Sequence, residues 1–398
     1  MPATEKRRRY GFAILGVLVL ALVVGKLCGG RATAVAARPV LTVLQALGPG
    51  PHDDGFARAD RPREFRFPAD HGAHPEFRNE WWYWTGNLTG PQGRPFGFEL
   101  TIFRTALAPD QDPNRSSGWA PRDIYMAHFT ISDMEAKRFY AFERTSRGAL
   151  DLAGAKGAPW QVWVLDWSAR GPGDAGAAFP MHLRAKDGDF AIDLSLEQGK
   201  PIVLEGDRGW SRKGPEPGNA SYYYSLTRMP TAGFIVVGGV RYEVQGASWM
   251  DREWSTRALS GDQIGWDWFA LRLDDGRELM FFHLRRRDGK KDAFSSGTLV
   301  ENDGTSRPLG ADDVALEPRG AFTSPRSRTT YPAGFRVRVP TFSLDLQVIP
   351  DLADQELDLT FRYWEGAVRI VGTGTGRPVQ GTGYLELTGY GDEPRQPR

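Results

Sequence analysis

Apolar and polar positions alternate in short runs along most of the chain, and Gly, Pro, Asn and Asp interrupt the runs every few residues. Alternation with period two predicts half-buried strands. No long run carries a helical period. In the first half the pattern predicts strands over 80–88, 95–104, 124–132, 139–142, 160–167, 181–185, 190–196 and 221–226. In the second half it predicts them over 236–244, 249–254, 265–273, 279–286, 295–300, 335–339, 342–348, 357–363, 367–372 and 381–388. The fold class expected is therefore all-β with many turns.

One aromatic hairpin occurs twice. E-W-W-Y-W-T-G-N-L at 80–88, Gly93-Arg94 and an apolar strand ending near Arg104 have a counterpart about 185 residues on: G-W-D-W-F-A-L-R-L at 265–273, Gly276-Arg277 and the strand 279–286. Two copies so far apart predict tandem β domains, 61–232 and 233–395, rather than a solenoid or propeller. The run Trp81-Trp82-Tyr83-Trp84 cannot face a single core. Such a strand is covered on both sides, or lines a cavity with one face and packs on a neighbour with the other.

The stretch Gly246–Trp254, G-A-S-W-M-D-R-E-W, puts Trp249, Asp251 and Glu253 on one strand face and Met250, Arg252 and Trp254 on the other. Charges framed by tryptophans suit a buried ion-pair network, or a pocket wall where aromatics form an apolar cage and charges do acid–base work. Asp251, Glu253 and Asp267 have Trp neighbours of the kind that raise a carboxyl's pKa. With His283 they form the catalytic candidates. Candidates to hold an apolar ligand are Trp81, Trp82, Trp84, Trp249, Arg252, Trp254, Trp266 and Trp268, with His128, Tyr222 and Tyr224. A lone strand histidine is more often a satisfied core residue, and the tyrosines could as well cap a core wall.

Aromatics make up 12% of the 398 residues, enough for large cores, and the only cysteine is Cys28. The body thus has neither a disulfide nor a thiol nucleophile. Residues 1–37 carry six Lys/Arg and one Glu of the chain's 50 and 49, which leaves 44 basic and 48 acidic residues, or −4, for the rest. That balance gives no reason to expect nucleic-acid binding. Lys6-Arg7-Arg8-Arg9, the apolar run 10–25 and Ala34-Val35-Ala36-Ala37 have the order of a signal peptide or an uncleaved anchor. Either predicts an exported body, periplasmic, extracellular or tethered to the outer face of the inner membrane, with 38–60 as linker.

His71, His74 and Glu76 lie in a Pro/Gly/Asp-rich loop with no strong zinc spacing, so loop hydrogen bonding is favoured over a metal. There is no G-x-S-x-G or H-E-x-x-H, and G-T-G-T-G at 372–376 lies between strands, as a hairpin turn does.

F-P-A-D-H-G-A-H-P-E-F-R-N-E-W-W-Y-W-T-G-N-L at 67–88, S-W-M-D-R-E-W at 248–254 and G-W-D-W-F-A-L-R-L-D-D-G-R-E-L at 265–279 resemble the AttH-like proteins, which share a lipocalin-like domain with carotenoid 1,2-hydratase (hydroxyneurosporene synthase). The resemblance implies two packed lipocalin-like β-barrels with a pocket near their junction, and no metal or organic cofactor. In the hydratase branch water adds across an isoprenoid C=C bond, and fungal relatives shape polyene cyclisation. An export-type transporter permease is the partner implied. The hydratase branch has His where this chain has Arg252, and an Asp in the strand that here holds Phe281-Phe282-His283. Arg cannot donate a proton near neutral pH. Two functions follow as expectations: an exported carrier of an apolar isoprenoid- or lipid-like molecule, or an acid-catalysed hydratase or cyclase.

Overall fold

The computed structural model describes residues 53–109, 121–174 and 176–391. The expected export segment, with Cys28, lies outside them. Among the described residues no helix is long and apolar enough to cross a membrane.

Two large antiparallel sheets make up the fold. The first holds β1 (Asn79–Thr89), β2 (Pro95–Ala106), β3 (Asp123–Asp133), β4 (Arg138–Arg147), β5 (Ala153–Gly157), β6 (Trp160–Val164), β7 (Trp167–Arg170), β8 (Met181–Asp187), β9 (Phe190–Leu196), β10 (Val203–Leu204), β11 (Trp210–Arg212), β12 (Ala220–Val237) and β13 (Val240–Arg257). The second holds β14 (Gln263–Leu273), β15 (Glu278–Arg286), β16 (Ser296–Val300), β17 (Ser306–Leu309), β18 (Ala315–Pro318), and, after a separate small ladder of β19 (Phe322–Thr323) with β20 (Thr330–Tyr331), β21 (Phe335–Val339), β22 (Leu344–Pro350), β23 (Glu356–Asp358), β24 (Arg362–Gly374) and β25 (Arg377–Thr388). Spatial order is 4-3-2-1-13-12-9-8-7-6-5 in one sheet and 17-16-15-14-25-24-22-21-18 in the other. In each, a hairpin series meets the sheet's last two strands through its own first strand. The first sheet curls until β6 lies across β2, β3 and β4. The all-β class expected from the alternation, and the barrel-like form that the resemblance implies, are what the chain adopts.

Side-chain alternation fills the two interiors separately. In β1, Trp82, Trp84 and Leu88 point into the first barrel, with Phe98 and Leu100 of β2, Phe129 of β3 and Trp160 of β6. Phe269, Leu271, Phe281, Leu346 and Leu385 do the same in the second. Large aromatics bury about 150–250 Å² each, so Trp82, Trp84 and Trp160 anchor the first interior.

The first sheet ends at Arg257, so the expected boundary at 232/233 falls inside β12. The sequence hides the long hairpin β12–β13 because Pro230, Gly233 and Gly246 interrupt its pattern and the pairing shifts between Leu226 and Met229. Its turn is Gly238-Gly239, both at positive φ, which a two-residue hairpin of that hand requires. Gly246 is needed because a Cβ there would sit 2.3 Å from the Asn87 carbonyl oxygen.

The sheets pack through their outer faces, β1 on β25, β2 on β24 and β12 on β14. Asn87 Nδ2 donates to the Gly383 carbonyl at 3.2 Å, and Arg272 Nη2 donates to Asn87 Oδ1 at 2.6 Å. The approach is closest at Gly97, where a Cβ would lie 2.6 Å from Tyr384 Oη and 2.9 Å from Ala367 Cβ. Gly97→Val is expected to lose about 1–3 kcal/mol by overpacking, read as a lower urea midpoint with unchanged slope. An unchanged midpoint would show that the two sheets are not held at this spacing.

Candidate functional site

Where the outer faces diverge they enclose a cavity of about 440 Å³. The period-two alternation of each strand sets its lining. Trp81 and Tyr83 come from β1, Thr101 and Phe103 from β2, Met126 and His128 from β3, and Asp251 and Glu253 from β13. Trp266 and Trp268 of β14, Phe282 of β15, Tyr363 of β24 and Glu386 of β25 close the other side. Most of this wall is apolar, in a size range that suits one small molecule.

The first sheet's wall centres on Asp251. Its Oδ2 accepts from Tyr223 Oη at 2.5 Å, and its Oδ1 from Ser225 Oγ at 2.6 Å and Trp249 Nε1 at 2.7 Å. Burial raises the carboxyl to about 7 against the pull of those three donors. Tyr223 Oη in turn accepts from Trp268 Nε1 at 3.1 Å, which ties the two sheets together at the site. Beside it Lys213 Nζ lies 3.4 Å from Glu253 and 3.6 Å from the centre of the Phe282 ring. Burial depresses this ammonium.

The second wall centres on Glu386. Its Oε1 accepts from Trp266 Nε1 at 2.5 Å. Directly across the strand pair stands Glu365, whose Oε1 accepts from Tyr83 Oη at 2.8 Å. Burial pushes Glu386 up to about 8, and burial with the neighbouring Glu386 and Glu99 pushes Glu365 well above the usual carboxyl value. Two adjacent carboxyls without a cation hold at least one proton between them at neutral pH. His128 Nδ1 is 2.6 Å from Tyr363 Oη, which donates to Glu99 Oε1 at 3.1 Å; His128 Nε2 is 3.3 Å from Glu143.

Register shows that the walls are equivalent. Asp251 pairs with Tyr83 in one sheet, and Glu386 with Trp268, the repeat's counterpart of Tyr83, in the other. By the same count Tyr223 matches Tyr363 and Ser225 matches Glu365. The repeat thus delivers a carboxyl to each side of one cavity.

The protein's other buried carboxylates are matched by cations. Glu80 pairs with Arg104 and Arg252, Glu278 with Lys200 and Arg228, and Asp267 with Arg285 and His283. Among the described residues, the buried carboxyls with no Lys, Arg or His within 4.0 Å are Glu99, Glu205, Asp251 and Glu365. Asp251 lines the cavity; Glu365 stands beside Glu386 in the second sheet, Glu99 meets that end from β2 of the first sheet through Tyr363, and Glu205, raised by burial to about 8, stands behind Asp251.

The AttH-like family profile matches residues 58–390, most of the chain. The chain belongs to the AttH-like family. A solved structure from Nitrosomonas europaea, described as an AttH, superposes with a TM-score of 0.74 at 36% identity, covering 84% of this chain and all of that one. Kievitone hydratase from Nectria haematococca superposes with a TM-score of 0.64 at 15% identity, over 84% of this chain and 96% of that one, a likeness of fold. A comparison with curated proteins returned no match.

In this AttH-like chain the cavity gathers Trp81, His128, Asp251, Glu253, Trp266 and Trp268 from among the candidates. The others are placed elsewhere. Trp82 and Trp84 fill the first barrel, and Tyr222, Tyr224 and Trp254 form a separate aromatic cluster on the inner side of β12 and β13. Trp249 lies behind Asp251. Asp267 and His283 form a bonded pair, 3.0 Å apart, on the face of β14 and β15 turned away from the cavity. A strand puts neighbours on opposite faces, so Trp266 and Trp268 in the cavity exclude Asp267 from it.

Arg252 is also corrected. It points into the first barrel, donates to the Gly72 carbonyl at 2.6 Å, pairs with Glu80 and lies 3.9 Å from the centre of the Trp82 ring. The departure from His at this position therefore falls behind the cavity wall and leaves its acids untouched. His74 stacks on Trp254 at 3.7 Å and its backbone N–H donates to Glu80, while His71 Nδ1 meets Tyr224 Oη at 2.6 Å. Burial, then Arg252, lowers His71 to about 3, so it is a neutral loop anchor. The functional residues that sequence reasoning passed over are Tyr83, Lys213, Tyr223, Tyr363, Glu365 and Glu386. The signal for Glu386 was G-Y-L-E-L-T at 383–388, which repeats the pattern of S-W-M-D-R-E at 248–253.

Proposed function

We propose that the protein is an acid–base enzyme that protonates a C=C bond of an apolar, isoprenoid-like molecule held between the two sheets. Glu386 is the acid and Asp251 the base. The observation that carries this reading is two carboxyls of raised pKa facing one aromatic cavity from equivalent positions on opposite walls. A carrier of an uncharged apolar molecule needs only apolar walls, and burying carboxyls without cations is unfavourable, so that role leaves them without purpose.

The assignment follows from their surroundings. Glu386 shares a proton with Glu365 and is neutral near pH 7, as a donor must be. Asp251 already accepts three hydrogen bonds, which suits the ionised form. Proton transfer from Glu386 to one alkene carbon forms a C–H bond as the π bond breaks, and leaves positive charge on the neighbouring carbon. The faces of Trp81, Trp266 and Trp268 stabilise that charge by about 0.5–2 kcal/mol each. Water adds to the cation and gives up its proton to Asp251, and exchange with solvent restores both groups. The sum is alkene plus water to alcohol.

The test is incubation with isoprenoids bearing trisubstituted double bonds in D2O, followed by mass spectrometry. New C–D bonds are expected, with Asp251→Asn and Glu386→Gln each slowing label uptake by at least about a hundredfold while ligand affinity stays near wild type. Binding without label uptake, unaltered in both variants, would leave the carrier reading in possession. The basic, apolar and small-residue order of 1–37 supports an exported body.

A further inference from the structure

At one end of the cavity three acids, Glu99 of the first sheet and Glu365 and Glu386 of the second, gather with no Lys or Arg paired to any of them, and His128 is the one basic side chain that reaches them, through Tyr363 to Glu99. Glu99 and Glu365 are fully buried, and Glu386 beside them opens onto the cavity. Their neighbours are hydroxyls, Thr101 and Tyr363 for Glu99 and Tyr83 for Glu365, and the acid Glu386, with no Lys or Arg within 4.0 Å of either. Elsewhere the chain spends Arg104, Arg252, Lys200 and Arg228 on just two buried carboxylates. Here it sets aromatic faces instead. Tyr83 and Trp268 meet edge to face with centroids 5.1 Å apart, and Tyr83 and Trp266 each donate a hydrogen bond to one of the acids. Those bonds fix the rings beside the carboxyls. Lys213, the ammonium of the opposite wall, is held by Glu253 and the Phe282 ring.

Aromatic faces with carboxyls behind them, which an entering cation would ionise, and no Lys or Arg among them, form a receptor for positive charge. We infer that the Glu365–Glu386 end of the cavity binds a cationic head, an alkyl-substituted ammonium carried on an apolar body. This deepens the proposed function and rests on its reading of the cavity as the working site: a stable ammonium occupies the place where positive charge develops on carbon during protonation. Amines with an isoprenoid or aromatic tail are then ligands of this protein, as substrates or as inhibitors that mimic the charged intermediate.

The experiment compares benzyltrimethylammonium with neopentylbenzene, its uncharged carbon isostere, by tryptophan fluorescence titration of the full chain in one buffer. The ammonium is expected to bind at least about tenfold more tightly. Glu365→Gln/Glu386→Gln should erase that preference and keep affinity for neopentylbenzene. Should the double variant fail to fold, Glu386→Gln alone should reduce the preference. Equal or tighter binding of neopentylbenzene by the wild type would overturn the inference while leaving the acid–base reading to its own label-uptake test. Binding of neither would overturn the inference and count against the cavity as a ligand site. A preference that survives both variants would also overturn it, since the charge would then be recognised elsewhere.

Discussion

Replacing Glu80 by Ala is expected to unfold the protein, or to destabilise it by about 3–5 kcal/mol, the largest single effect in the molecule. Glu80 is completely buried at the start of β1 and is bonded to Arg104 of β2 and Arg252 of β13, the strands on either side. Both guanidiniums are buried too, and the backbone N–H of His74 donates to Glu80 at 3.1 Å. Burial alone would push the carboxyl up, but Arg104 and Arg252 outweigh it and hold Glu80 below the usual carboxylate range. Removing it strands Arg252 between Trp82 and Trp254 with no carboxylate, and leaves Arg104 with Asp123 alone. Urea unfolding of Glu80→Ala tests this, beside Glu80→Gln/Arg104→Met/Arg252→Met. Removing the whole network should recover much of the loss, because apolar side chains of similar size need no partners. A Glu80→Ala midpoint close to wild type would show that the network is not what locks β1 between its neighbours.

That network explains why the sequence was readable in some places and misleading in others. Period-two alternation gave the strands, and it correctly divided Trp249, Asp251 and Glu253 from Met250, Arg252 and Trp254. It could not say which face looked into a barrel and which across to a second sheet, because both are covered. Of the two environments offered for W-M-D-R-E-W, the strand realises both at once. Its Arg252 face is an ion-pair network, and its Asp251 face is a cavity wall. Trp81–Trp84 divide in the same way, with Trp81 and Tyr83 on the cavity and Trp82 and Trp84 in the barrel. Asp267 and His283 were attractive because a carboxyl and an imidazole stood near tryptophans, yet adjacency in sequence is opposition in a strand. Lys213 was invisible for another reason. It comes from the loop between β11 and β12, whose path depends on tertiary packing rather than on periodicity.

Stability should fall as pH rises from about 5 to 8, and Glu386→Gln should flatten that fall. The ordinary carboxyl value for Glu386 is 4.5, and in the fold it is raised to about 8. Between those values the unfolded chain has released the proton and the native protein still holds it. Native protein therefore binds more protons, and each rise in pH favours unfolding by at most about 1.4 kcal/mol per unit for one such group. Glu205, also near 8, and Asp251, raised from 3.8 to about 7, act in the same direction. Glu80 acts oppositely, but its contribution is complete above its ordinary value of 4.5 and is lost only in acid. His71, lowered from 6.5 to about 3, opposes the fall up to about pH 6.5, and in that range Asp351, raised to about 6, adds to it; above that the fall is set by the raised acids in and behind the cavity. Gln fills the space of a protonated Glu and cannot ionise, so the Glu386→Gln curve should meet wild type near pH 5 and lie above it at pH 8. Urea midpoints at pH 5, 6, 7 and 8 measure both lines. Parallel curves would mean that Glu386 ionises normally in the fold, and would remove the proton donor on which hydration depends. A flattened curve together with lost label uptake would tie the proton that the fold retains to the proton that the reaction transfers.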